Sequence, residues 1–178
     1  MLGITTGFGI LEVGYPAFAT YMGMGALAGV LLAINSLGSA TGGAIYGGLH
    51  FKAPIERQFA ACMLLMSIPF GLHAAVLDPF VYGVLGFLSG ALIAPTLTGH
   101  AVLVSRLAPP KYATEAFTWS STFIVTGLGL GMATGGWLAE HVGIRTMFLV
   151  SGTVILLMGI GVWIALSPIP AARAQAAD

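Results

Sequence analysis

Six acidic and six basic side chains carry all the formal charge in this 178-residue chain, so the place of each one is informative. Glu12 stands out. No other acidic, basic or histidine side chain lies between Met1 and His50. A lone carboxylate in an apolar run can take up and release a proton, or hold a cationic group. It can equally stay protonated and hydrogen-bond a neighbouring helix. At a helical rise of 1.5 Å it lies roughly 16 Å from the start of its helix. Helical spacing sets Thr5, Gly9, Glu12, Tyr15 and Ala19 on one side. Pro16, one turn on, deprives the Glu12 carbonyl of its helical donor and suggests a local kink.

Three more polar sets repeat at helical spacing. Glu115, Thr118, Trp119, Thr122 and Thr126 form a stripe whose hydroxyls can line a polar passage or bond their own backbone carbonyls. Glu115 can instead be a favourable charge in the first turn of its helix. Ser89, Thr96 and His100 share a side, with Pro95 between them. His100 and Glu115 fall near the same end and could pair as a gate, a relay or a structural ion pair. Asn35 and Ser39 are one turn apart, leading toward Tyr46, as interhelical hydrogen-bonding groups or as substrate contacts. His73 and Trp163 fall near span ends and are expected at the membrane interface.

These groups need elements to hold them, and the composition says which kind. Hydrophobic residues make up 57% of the chain and charged residues 7%, with a mean hydropathy of +0.97. A water-soluble domain carries about 25% charged residues, so most of this surface must face lipid. The expected class is all-α integral membrane. Zero net charge excludes a nucleic-acid partner, which needs a basic face. The single cysteine, Cys62, has no disulfide partner and reads as a small packing residue. No basic residue precedes the first apolar run, so a cleaved signal peptide is not expected. Nothing calls for a cofactor, and no cluster suggests a metal.

A spanning helix needs about 20 mostly apolar residues. Six such stretches occur, at about Met1–Tyr21, Met24–Gly48, Gln58–Leu77, Phe80–Val104, Ala113–Ala139 and Ile144–Leu166. They form one expected domain, 1–167, followed by a short cytoplasmic tail, 168–178. Short connections imply that consecutive helices are antiparallel neighbours. With both termini cytoplasmic, Lys52, Arg57, Arg106, Lys111 and Arg173 are inside and only Arg145 is outside, as the positive-inside rule requires. A charge at the bilayer centre costs about 2.5–3.5 kcal/mol, so Glu12 is expected to face protein or a water-filled cavity.

Glycines recur four residues apart: Gly127, Gly131 and Gly135 in the fifth span, Gly38 with Gly42 and Gly43 with Gly47 in the second, Gly86 with Gly90 in the fourth. Small residues at this spacing let membrane helices approach closely. "GLGLGM" lacks the third glycine and the preceding strand of a dinucleotide loop. "ATGG" appears at Ala40–Gly43 and again at Ala133–Gly136, a hint of the three-helix repeats common in secondary transporters.

Six spans, an inside loop after the second and the glycine-rich fifth resemble the C-terminal half of a major facilitator superfamily transporter. The closest stretch is "LAPPKYATEAFTWSSTFIVTGLGLGMATGGWLAEHVGIRTMF", Leu107–Phe148, which resembles the tenth-to-twelfth helix region of proton-coupled drug or sugar efflux permeases. Within it "GGWLAEHVGIRTMF" is similar to the family's G-x-L-x-D-x-x-G-x-R loop signature, with Gly136, Glu140, Gly143 and Arg145 at its places. "GGLHFKAPIERQ" after the second span keeps Gly48 and Arg57 but has no Asp at the acidic place.

The resemblance implies six helices in a 3+3 inverted repeat, equivalent to helices seven to twelve of twelve. It implies proton-coupled efflux of small molecules by alternating access, with Glu12 as the proton-coupling residue. Tyr15, Asn35, Ser39, Ser89, Thr96, Trp119, Thr122 and Thr126 would then line the substrate cavity. The implied partners are the lipid bilayer, a small-molecule substrate and protons, and either a missing N-terminal six-helix half or a second copy. The implied location is the cell (inner or plasma) membrane. A truncated chain is the favoured account of the length, ahead of a half-sized subunit or a homodimer. The competing reading is a non-transporting six-helix membrane protein. An intramembrane serine protease is excluded because "FLSG" has Phe87 where a G-x-S-G motif needs glycine, and the sixth span has no histidine.

Overall fold

A computed structural model describes residues 1–166; the expected tail, 168–178, lies outside the described residues. Seven α-helices are present among them: α1 (Leu2–Tyr21), α2 (Gly25–Gly48), α3 (Ile55–Leu72), α4 (Pro79–Ala91), α5 (Ile93–Leu107), α6 (Ala113–His141) and α7 (Ile144–Leu166). Five helical stretches are long and apolar enough to cross a membrane: Gly25–Gly48, Ile55–Ala75, Pro79–Leu107, Pro110–His141 and Ile144–Leu166. The first helix, 20 residues long and unbroken through Glu12 and Pro16, is not one of these five.

The boundaries follow local chemistry. Asp78 caps α4, accepting a hydrogen bond from the Val81 amide at 2.9 Å, with Pro79 in the first turn where its missing N–H costs nothing. The expected fourth span is two helices that break at Leu92. Pro95 has no N–H to offer the Ala91 carbonyl; the Thr96 hydroxyl and amide both bond Leu92 O instead, at 2.7 and 3.1 Å. Gly143 ends α6 with φ +105°, and its amide donates to Leu138 O at 2.8 Å, a left-handed cap that suits glycine.

Sequence neighbours are not the main packing partners, contrary to the expectation from short loops. Helix α1 packs chiefly on α6 and α7, α3 on α7, and α2 on α4; α2 and α3 hardly touch. Glycine decides the pairing. A Cβ at Gly131 would strike the Thr6 carbonyl, and one at Gly9 the Leu128 carbonyl, so α1 and α6 cross backbone to backbone. At the second crossing, a Cβ at Gly38 would strike the Phe87 carbonyl and one at Gly90 the Asn35 carbonyl. Hydrocarbon offers no hydrophobic drive to bring helices together, so close van der Waals contact must supply the attraction.

The core gathers Tyr15 and Phe18 of α1, Phe70 of α3, Tyr82 of α4 and Phe148 of α7. Phe18 stacks on Tyr82 at 3.7 Å between centroids. His73, expected at the interface, is instead only 1% exposed, stacked on Phe148 at 5.0 Å and edge-on to Tyr82 at 4.6 Å. Its Nδ1 lies 2.6 Å from Pro69 O. That aromatic enclosure leaves it no route to a headgroup.

Candidate functional site

The polar residues singled out by spacing divide into a buried set and an exposed set. Tyr15, Ser89 and Thr96 are wholly buried. Asn35 reaches from α2 to join Tyr15 to α4: its Nδ2 donates to Tyr15 Oη at 3.2 Å and to Gly86 O at 2.9 Å. Among the described residues, Ser89 Oγ has no hydrogen-bond partner, nor has Tyr82 Oη. Ser39 is half-buried, its backbone against Gly90. These groups sit inside the helix packing.

Glu12 belongs to the other set. It is exposed, as are Pro16 and Thr20 at the following turns. Thr5, Gly9, Tyr15 and Ala19, expected on its side, are all buried. The reason is angular: three residues of helix leave Glu12 and Tyr15 about 60° apart, and the edge of the covered face falls between them. The exposed strip of α1 lies on a helix held by both α2 and α6, and both of those are themselves largely exposed.

Helix α6 presents the hydroxyl stripe. Thr114, Phe117, Thr118, Ser121, Thr122, Val125 and Thr126 line an open groove of about 780 Å3. The Thr118 hydroxyl donates to Thr114 O at 2.9 Å and that of Thr122 to Thr118 O at 3.0 Å. Their oxygens keep free lone pairs toward the groove, so the stripe offers acceptors. Trp119 is 56% exposed and lies 6.1 Å from the Phe123 ring.

Glu115 and His100 do not form the expected pair. Glu115 is exposed on α6, whereas half-buried His100 on α5 faces the Phe59 ring of α3 at 6.2 Å. Few residues of α5 and α6 meet, which leaves the two side chains on separate faces.

The loop signature residues sit at the α6–α7 turn. Gly143 and Arg145, with Ala17, Tyr21 and Leu77, line a hollow of about 460 Å3 against the end of α1. Glu140 is exposed, and Gly136 has open space where a Cβ would point. Sequence reasoning missed two features: the aromatic cluster around His73, and an apolar crevice between α2 and α3. Only the pairing of α3 with α7 and of α2 with α4 creates them, so no periodicity within one helix signals either. Among the described residues, no three His, Cys, Asp or Glu side chains gather as a metal site.

Comparison with known proteins fits this architecture. The chain is 28% identical over 150 residues to the multi-drug resistance efflux pump PmrA of Streptococcus pneumoniae, covering 82% of this chain and 37% of that protein. It is 28% identical over 141 residues to the uncharacterized MFS-type transporter YfiS of Bacillus subtilis, covering 75% of this chain and 33% of that protein. The chain thus spans little more than a third of these relatives. No solved structure matches it. The profile of the Major Facilitator Superfamily matches residues 1–177. The chain, a multi-pass membrane protein, belongs to the Major Facilitator Superfamily.

Proposed function

We propose that residues 1–167 are the C-terminal six-helix half of a secondary transporter that exports small molecules in exchange for protons. The exposed strip of α1, with α2 and α6 beside it, is the wall that meets the other half. Alternating access is rocking of that wall against its partner. The 3+3 inverted repeat is supported by the two glycine crossings. Gly38 stands to Gly131 at the same sequence offset as the first "ATGG" to the second, and Gly9 to Gly90 as Thr6 to Phe87. Both termini are cytoplasmic, in the cell membrane.

The observation that carries this reading is Glu12, exposed on a helix flanked by α2 and α6. A carboxylate in that position has no reason to persist facing lipid; against a second half it lines a water-filled passage. The acceptor oxygens of Thr118 and Thr122 suit a substrate bearing N–H or cationic groups, as does Glu12. The name of one relative, an efflux pump, points the same way. The exposed α2 and α6 also fit a second copy of this chain as the opposing wall.

The test is Glu12→Gln in the complete transporter, reconstituted in vesicles with an imposed pH gradient. Export driven by that gradient should vanish while substrate exchange at equal pH persists. Undiminished coupling removes Glu12 from the mechanism.

A further inference from the structure

Helices α2 and α3 are consecutive but hardly touch, and the space between them is a crevice of about 610 Å3. Ile45, Ala61, Cys62, Leu65, Leu92 and Trp163 are among the residues that line it, and the break between α4 and α5 is its floor. Polar groups occur at one end alone. There the Tyr46 hydroxyl donates to Gln58 Oε1 at 2.7 Å, and Gln58 Nε2 donates to Ala53 O at 2.6 Å. Arg57 also lines this end. It is exposed, and its guanidinium has neither an ion pair nor a hydrogen bond among the described residues.

We propose that this crevice holds one anionic phospholipid, an acyl chain along Ala61, Cys62 and Leu65 and the headgroup phosphate on Arg57. A crevice this apolar in a membrane protein is filled by hydrocarbon, because an empty one forfeits its dispersion contacts. Its single unpaired guanidinium selects the charge of the occupant, since arginine matches phosphate geometry with paired N–H donors. Lys52, exposed on the α2–α3 loop, adds positive potential nearby. Glu56, the opposing charge on α3, does not line the crevice. The crevice is built by α2, α3, the α4–α5 break and α7, apart from the Glu12 strip and the α6 groove. The bound lipid holds α2 at a fixed distance from α3, which sets how far α2 can tilt. The proposal rests on the bilayer placement of these helices but not on transport or on which terminus is inside.

Brominated acyl chains quench tryptophan on contact, and Trp163 lines the crevice. Trp119→Phe and Trp137→Phe leave it as the single tryptophan; both replaced side chains are 56% exposed, so the fold should tolerate them. The protein is reconstituted into vesicles with brominated phosphatidylglycerol or brominated phosphatidylcholine at equal mole fraction, in both leaflets. The expected result is an apparent preference for phosphatidylglycerol of about fivefold, the usual effect of one basic residue near an anionic surface. Arg57→Gln should bring the ratio close to one. Ala61→Phe, which fills the crevice, should lower quenching by both lipids. Equal quenching in the parent, a preference that survives Arg57→Gln, or quenching untouched by Ala61→Phe would each overturn the proposal.

Discussion

Asn35 on α2 hydrogen-bonds Tyr15 on α1 at 3.2 Å and, with the same Nδ2, the carbonyl of Gly86 on α4 at 2.9 Å. One amide thus ties three helices where α4 crosses α2. The close approach is set by Gly90, whose missing side chain makes room for the Asn35 carbonyl. A polar side chain and a glycine crossing act on the same spot.

Asn35→Leu should therefore destabilise the bundle by about 1 kcal/mol, within the range measured for interhelical hydrogen bonds in membranes. Tyr15→Phe should cost less, because Asn35 keeps its bond to Gly86 O. Reversible unfolding in mixed micelles measures both. A Tyr15→Phe loss equal to that of Asn35→Leu would show that the tyrosine, not the amide, is the anchor.

Glycine substitution separates packing positions from idle ones. Gly131→Ala and Gly38→Ala each press a methyl into a backbone carbonyl of the facing helix. Neither backbone can yield without moving a whole helix, so a cost of about 1–3 kcal/mol is expected. Gly129→Ala meets nothing within 4 Å and should change stability by less than about 0.5 kcal/mol. The same unfolding series tests all three, and equal effects would sink the crossing model.

The glycine rows show how far the sequence could be read. Their four-residue spacing announces close approach, but not which helix comes close. Gly131 and Gly38 name their partners, Thr6 and Phe87, only when folded. Span positions were legible because composition sets them: the expected sixth span, Ile144–Leu166, is α7. The break at Leu92 was half legible, since Pro95 marks a broken ladder without fixing where the two helices part. Burial was the least legible. One strip of α1 holds both Glu12 and Tyr15 on a helical wheel, but neighbouring helices cover one and leave the other bare. The pairing of His100 with Glu115 failed on the same ground, because shared depth is not a shared face.

Tyr82 offers the opposite kind of test. Its hydroxyl is buried without a hydrogen-bond partner among the described residues, while its ring is stacked on Phe18 and edge-on to His73. A buried unsatisfied polar group costs about 1–3 kcal/mol. Tyr82→Phe keeps the ring and removes the cost, so stability should rise by about 1 kcal/mol. A fall in the unfolding midpoint instead would mean that the hydroxyl has a partner, such as a bound water.

Glu12 supports a quantitative prediction for the complete transporter. If one proton crosses per substrate, each pH unit across the membrane supplies about 1.4 kcal/mol, which supports about a tenfold substrate gradient at steady state. Glu12→Gln keeps the size and hydrogen-bonding capacity of the side chain but cannot carry the proton. The substrate gradient should then fall to about one at any imposed pH difference, with binding little changed. Glu12 is exposed and its carboxylate has no hydrogen bond or ion pair among the described residues, so this substitution should leave stability within about 0.5 kcal/mol of the parent. Measuring accumulation and unfolding on the same preparation separates the outcomes. Lost accumulation with intact stability assigns the proton to Glu12, whereas lost accumulation with lost stability makes it a structural residue. A retained tenfold gradient places the coupling elsewhere in the protein.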